Sequence, residues 1–269
     1  MPELPEVETT VRGIEPWLKG SRVTRVVVRE PRLRWPVPAT VQAATGQTVK
    51  RVRRRAKYIL VDFENGSLLI HLGMSGSLRV LTEQANLRKH DHFDIEMEQC
   101  MIRYNDPRRF GTLLWLEPPA EAHPLLSALG PEPLSNDFHG EYLYASSRSR
   151  KVAVKNFIMD GKVVVGVGNI YVSEALFMAG IHPARAAGRV SRARYRGLAE
   201  AIRDVLGRAI REGGTTLRDF SGSGGEPGYF AQNLLVYGRA GQPCFQCSNP
   251  VRQKVIGQRS SFYCITCQH

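Results

Sequence analysis

Four thiols give this chain its sharpest chemical signature. Cys244-x2-Cys247 and Cys264-x2-Cys267 form two CxxC knuckles with sixteen residues between them. That spacing suits four thiolates around one tetrahedral zinc, each pair carried on a tight turn. No histidine shares the set and no coordination position is left open, so one structural zinc ion is expected; two disulfides or a redox pair are the competing readings. A module of about 30 residues buries too little apolar surface to fold alone, so the metal supplies its stability. Between the knuckles lie Arg252, Lys254 and Arg259, and no acid. A pinned hairpin offering Arg259 to phosphate is the functional reading, and solvation is the bland one.

Three further segments carry chemistry. Lys50 to Lys57 holds six basic residues in eight positions, and counterion release makes such a stripe worth affinity for a phosphate backbone. It runs straight into apolar Tyr58–Phe63, so Lys57 is expected at a strand start, lining a cleft or merely solvated. The run Val163-Val164-Val165-Gly166-Val167-Gly168-Asn169 precedes helix-like Tyr171–Ala179. Glycines admit close backbone approach and a helix start favours an anion, so a phosphate clamp with Asn169 competes with plain turn chemistry. It is not GxGxxG, which argues against a dinucleotide site. His71-Leu72-Gly73-Met74 and Asn105-Asp106-Pro107-Arg108-Arg109-Phe110-Gly111 set bulky or cationic side chains on turns. Such side chains suit wedging into a base stack, with core packing as the alternative for Met74 and Phe110.

These residues need elements to hold them. Leu4, Val7, Val11, Ile14 and Leu18 recur at helical spacing, with Glu3, Glu6 and Glu8 in or near the first turn. The glutamates complement the helix dipole or serve in acid–base work. From about Arg22 to Leu116 the texture is short β-branched segments (Val23–Val28, Tyr58–Phe63, Ser67–His71, Leu78–Leu81, Phe93–Met97, Thr112–Leu116), which reads as an antiparallel β-sandwich or barrel of roughly eight strands. Near Glu117-Pro118-Pro119 the pattern shifts and helices take over, the clearest from Ser191 as N-cap to Gly213-Gly214 as stop. Phe220–Gly228 is Gly/Ser-rich, and Cys100 reads as a packed strand residue.

Composition bounds the function class. The 269 residues carry 37 Lys plus Arg against 25 Asp plus Glu, a net charge of +12. So basic a protein usually meets a polyanion, and nucleic acid comes first. With 42% hydrophobic and 23% charged residues, wholesale disorder is excluded. The acidic opening is no secretory signal, no apolar run of 18 residues exists, and four of the five cysteines cluster in the last 26 residues. An intracellular, cytoplasmic protein with no membrane association is expected.

The segments MPELPEVE, the Lys57-Tyr58 strand, HLGMSG, KHDH, YNDPRRFG, VVVGVGNIY, GGTTLRDF, PGYF, VYGR and CxxC…RSSFYCxxC, in that order, resemble the bacterial formamidopyrimidine-DNA glycosylases over nearly the whole chain. Endonuclease VIII shares the zinc module and central helical motif but typically opens PEGPE, so Leu4 between Glu3 and Pro5 favours the purine-directed branch. The resemblance implies an α+β fold: an N-terminal antiparallel β-sandwich with an N-terminal helix (1–130), a helical domain with a helix-two-turns-helix motif (131–233), and a C-terminal four-cysteine zinc finger (234–269). It implies a monomeric bifunctional enzyme that excises 8-oxoguanine and formamidopyrimidines from duplex DNA and cleaves abasic strands by β,δ-elimination.

By the same resemblance Pro2, exposed by methionine removal, is the nucleophile and Glu3 its acid/base. Lys57 serves β-elimination, and Arg259 serves phosphate binding and δ-elimination. Met74, Arg108 and Phe110 fill the gap left by the flipped base, while His90, Arg109, Arg150, Lys155, Asn169 and Tyr237 join Arg108 in holding DNA. The loop before Tyr229 corresponds to a flap over the damaged base. Here it reads SGSGGEPGYF, with Glu226 where relatives often carry lysine, and Ser248 and Ser261 are minor departures. Two other functions compete: a glycosylase for oxidised pyrimidines, and a catalytically silent, zinc-dependent DNA-binding protein.

Overall fold

A computed structural model describes residues 2–83, 85–214 and 233–269. The loop Phe220–Gly228 and the PGYF segment lie outside these described residues. The chain divides into two compact units. The first takes in the described part of Met1–Ala128 and Glu212–Ala231, the second that of Leu129–Arg211 and Gln232–His269.

The first unit opens on helix α1 (Leu4–Leu18). Its apolar positions recur every three or four residues, and Leu4, Val7, Val11, Ile14 and Leu18 are all buried. Eight strands follow in two antiparallel sheets of four. One has the order β1-β6-β7-β5 (β1 Val23–Val28, β5 Ser77–Leu81, β6 Asp91–Met97, β7 Met101–Asn105). The other has the order β2-β3-β4-β8 (β2 Arg51–Arg55, β3 Tyr58–Asp62, β4 Ser67–His71, β8 Thr112–Leu116). Val26, Ile59, Val61, Leu68, Ile70, Phe93, Ile95 and Ile102 join the α1 face in one core. The single-turn helix α2 (Pro124–Ser127) ends the unit's first stretch.

Three expectations change in this unit. The basic stripe is itself a strand, β2, and its charges are partly answered within the protein. Arg53 pairs with Asp62 at 2.5 Å and Glu121 at 2.8 Å, Arg54 with Glu8 at 3.0 Å, and Lys50 with Glu64 at 2.5 Å. Lys57 starts no strand: with Ala56, at φ +55°, it makes the two-residue turn between β2 and β3. Cys100, though buried, sits between β6 and β7 and not in a strand. Strand β7 hides a charge, because Arg103 is 4% exposed and forks onto Asp94, which also takes Arg29 at 2.6 Å.

The second unit is helical: α3 (Gly140–Ser147), α4 (Val154–Met159), α5 (Asn169–Met178) and α6 (Arg192–Arg211). Helix α4, the turns over 160–168 and α5 form the helix-two-turns-helix motif, with Gly166 at φ +79°. Almost every residue of α5 is buried, as expected of a core helix. Helix α6 buries the stripe Tyr195, Leu198, Ile202, Val205, Leu206 and Ala209. The hairpin β9 (Arg252–Ile256) and β10 (Arg259–Tyr263) lies between the cysteine knuckles. Among the described residues no helix is long and apolar enough to cross a membrane.

Close packing around Tyr104 makes Gly111 intolerant of a side chain. A methyl group at Gly111 would lie 1.7 Å from the Tyr104 hydroxyl. Gly111→Ala is therefore expected to lower unfolding free energy by about 1–3 kcal/mol, read as a reduced urea midpoint at unchanged m-value.

Candidate active site and nucleic-acid interface

The chain start is built, not frayed. Pro2 is buried, and Glu3 and Glu6 are 2% and 3% exposed. Glu6, one turn into α1, accepts the Glu3 backbone N–H at 2.8 Å, and Val7 N–H donates to the Glu3 carbonyl at 3.1 Å. A free helix start leaves such N–H groups unanswered. From the same helix Glu8 reaches Arg54, whose Nη1 donates to the Ala56 carbonyl at 2.9 Å. This relay ties the turn bearing Lys57 to the helix that follows Pro2.

Beside that turn, His71 closes β4 opposite Tyr58. Burial, with help from the cations Lys57 and Arg34, lowers the His71 pKa to about 4, so the ring is neutral near neutral pH. Its Nδ1 accepts the Gly73 N–H at 2.9 Å.

Two loops carry the candidate wedge. Met74 is 36% exposed and Phe110 41%, while Leu72, Gly73, Ser75, Gly76 and Gly111 around them are buried. The core-packing alternative for Met74 and Phe110 therefore falls. The Arg108 guanidinium lies 4.8 Å from the Phe110 ring centre. A Cβ at Gly73, φ +67°, would meet the Phe110 backbone at 2.5 Å, so the loops touch main chain to main chain. Asp106, fully buried, organises both. Its carboxylate accepts from Ser75 Oγ at 2.7 Å, Tyr104 Oη at 3.0 Å, Arg108 N–H at 3.1 Å and Gly111 N–H at 2.9 Å. Its own N–H donates to the carbonyl of His90, which stands at φ +74°. Arg109, at φ +56°, pairs with Glu30 at 3.3 Å. One residue thus positions Met74, His90, Arg108 and Phe110, and residue-by-residue reading missed it.

In the second unit the candidate phosphate residues gather on the β9–β10 hairpin. Lys155, fully buried, donates from Nζ to the Ser260 carbonyl at 3.1 Å and Ser261 Oγ at 2.5 Å. Asn169 Nδ2 donates to the same carbonyl at 3.0 Å and lies 3.5 Å from Tyr237 Oη. Arg259, exposed, opens β10 directly before Ser260. Tyr237 is set by Glu174, another carboxylate not anticipated. At 1% exposure it accepts the backbone N–H groups of Leu235, Val236 and Tyr237 at 2.7, 3.0 and 2.8 Å. Burial raises its pKa while those three donors hold it down. The signal available in sequence was the one charged residue inside the mostly apolar NIYVSEALFM. Arg150 is exposed on the loop between α3 and α4, five residues before Lys155, and takes no part in the hydrogen bonds to the hairpin described above.

The four knuckle sulfurs lie within 4.8 Å of one another. Cys244 and Cys267 are 3.9 Å apart, Cys247 and Cys264 3.4 Å. Disulfide sulfurs sit about 2 Å apart, whereas tetrahedral zinc thiolates sit about 3.8 Å apart for a 2.3 Å bond. The geometry fits four ligands to one soft metal ion.

Comparisons agree along the chain. The profile of the formamidopyrimidine-DNA glycosylase N-terminal domain matches residues 1–113, and that of the formamidopyrimidine-DNA glycosylase H2TH domain matches residues 129–221. Formamidopyrimidine-DNA glycosylases of Thioalkalivibrio sulfidiphilus and Syntrophotalea carbinolica are each 61% identical over the whole of both chains. The MutM (Fpg) protein of Thermus thermophilus superposes with TM-score 0.90 at 37% identity, covering 99% of this chain and 98% of that one. A Lactococcus lactis Fpg mutant, solved with Fapy-dG containing DNA, superposes with TM-score 0.92 at 30% identity over all of both chains. With full-length identity of this order joined to a shared fold, the chain belongs to the formamidopyrimidine-DNA glycosylase family.

Proposed function

We propose that the chain excises oxidised purines, 8-oxoguanine and formamidopyrimidines, from duplex DNA and cuts the resulting abasic strand through a Schiff base on Pro2. The observation that carries this reading is the anchored chain start, with Pro2 buried directly before a helix whose Glu6 secures Glu3. The relatives' names and lesion-DNA complexes support the substrate class.

A stacked base is out of reach, so the lesion is extruded and its gap filled by Met74, Arg108 and Phe110. An α-amino group has a pKa of about 8 and keeps a neutral fraction near pH 7, unlike lysine at about 10.4. Once Met1 is removed, the Pro2 nitrogen attacks C1′ of the deoxyribose. The glycosidic bond breaks, the base leaves, and Glu3 carries the protons that departure and sugar-ring opening require. A secondary amine joined to the opened sugar is a cationic iminium, which acidifies C2′. Loss of that proton expels the 3′ phosphate, with Lys57 assisting, and a second elimination expels the 5′ phosphate held by Arg259. Water then hydrolyses the iminium and frees the amine. His90, Arg109, Arg150, Lys155, Asn169 and Tyr237 hold the backbone, supplemented by Arg108.

The metal in this reading is one zinc ion held by Cys244, Cys247, Cys264 and Cys267. Bound zinc replaces the core that so small a module lacks. It thereby fixes the hairpin whose Ser260 and Ser261 meet Lys155 and Asn169. Cytoplasmic action as a monomer accords with this function.

Pro2→Gly is expected to slow strand cleavage of an 8-oxoguanine duplex by about 100-fold or more while the duplex is still bound. Undiminished cleavage would show that the secondary amine of proline is not required, and a borohydride adduct on Lys57 in that variant would move the nucleophile there. The unaltered chain is expected to cut 8-oxoguanine in preference to thymine glycol, and the reverse preference would mean a pyrimidine-directed enzyme. Metal analysis is expected to return one zinc per chain. Chelation is expected to expose the hairpin to protease and weaken DNA binding, while a bound duplex protects it.

A further inference from the structure

Helix α6 begins with charges of the wrong sign for a helix start. Arg192, Arg194 and Arg196 all lie in its first five residues, where the dipole is positive and cations are unfavourable. Arg194 folds back to donate to the Gly180 carbonyl at 2.6 Å. Arg192 and Arg196 stay exposed. Among the described residues their carboxylate partner is Glu141 of α3, at 3.4 and 2.7 Å, with Glu200 a turn further along α6. Two exposed arginines against the dipole gain little from one surface carboxylate.

What surrounds them is more cationic still. Tyr144 of α3 carries a guanidinium on its ring twice over, Arg148 at 3.9 Å and Arg192 at 4.9 Å from the ring centre. Arg148 is fixed besides by donating to the Val190 carbonyl at 3.0 Å and Ser147 Oγ at 2.7 Å. The segment bearing Arg189 is seated on the loop bearing Arg150, through the Gly188 N–H to the Arg150 carbonyl at 2.9 Å. Arg148, Arg150, Lys151, Arg189, Arg192 and Arg196 are all exposed. Arg148 commits its Nε and Nη2 hydrogens to Tyr144, Ser147 and Val190 and offers chiefly charge. Stacking engages the flat face of Arg192 and leaves N–H groups on its edge that match phosphate oxygens. Lys151 lies four residues before Lys155, so this surface continues in the chain toward the phosphate residues already described.

We propose that the Tyr144-centred arginine patch carries the backbone contact of Arg150 outward along the duplex flanking the lesion, through Arg148, Arg189, Arg192 and Arg196. This rests on the reading of the chain as a duplex-DNA enzyme. The patch then adds affinity only when the duplex is long enough to reach it, and the addition is electrostatic.

The test is fluorescence anisotropy of the full chain on two duplexes carrying a tetrahydrofuran abasic analogue, one short (about 12 base pairs) and one long (about 30), titrated with salt. With two phosphate contacts removed, Arg192→Ala/Arg196→Ala is expected to make the slope of log affinity against log salt shallower by about 1.8 on the long duplex. On the short duplex its slope and affinity are expected to match the parent chain. Arg192→Lys/Arg196→Lys, which keeps the charges, is expected to restore most of the long-duplex slope. An unchanged slope on the long duplex overturns the proposal, and so does an equal loss on both lengths. Folding is not at stake, because both side chains are exposed and alanine favours helix; an unchanged melting temperature checks this. A parent chain that binds neither duplex would defeat the enzyme reading itself, a separate failure.

Discussion

The first turn of α1 governs what the start of this chain can do. An amine at a chain end normally frays, and reactions that need an oriented nucleophile lose heavily from such motion. Here Glu6 accepts the Glu3 N–H, the apolar stripe of α1 is buried, and Glu8 reaches through Arg54 to the carbonyl beside Lys57. The residue after Met1 is thereby held by a helix set in the core of the first unit. Glu3 and Glu6 are buried carboxylates, which a protein retains only where hydrogen bonds or function answer them.

The same device recurs in each unit. Asp106 joins the loop of Met74 to the loop of Arg108 and Phe110 by accepting from four donors. An apolar side chain there would leave those donors buried and unanswered, at about 1–3 kcal/mol apiece. Glu174 does likewise for the segment ending at Tyr237. Loops that meet a bulky, charged ligand cannot be held by apolar packing on their outer side. Buried acids beneath them supply the rigidity, with Met74, Arg108 and Phe110 exposed above Asp106 and Tyr237 half-buried beside Glu174.

Features whose cause is local were legible in the sequence. The stripe of α1, the Ser191 start of α6 and the cysteine knuckles follow from spacings within a few residues. Features whose cause is distant were not. The stripe Lys50–Lys57 reads as a cationic run for phosphate or solvent, yet Arg53 and Arg54 find Asp62, Glu121 and Glu8 only after the sheet forms. Strand β7 is obscured because Arg103, buried on Asp94, breaks the apolar alternation. Asp106 looks like a turn residue before proline until Ser75 and Tyr104 are brought to it. Met74 and Phe110 are ambiguous in sequence because apolar side chains serve a core or a wedge alike, and only their exposure separates the two.

The central claim is a covalent link between the processed chain start and an opened deoxyribose, and intact-mass spectrometry tests it most directly. The chain would be weighed before and after borohydride reduction on a duplex bearing one 8-oxoguanine. The account predicts a free chain beginning at Pro2 and a single adduct that maps to its N-terminal peptide. A fully active chain still carrying Met1, or an adduct on Lys57, would contradict it.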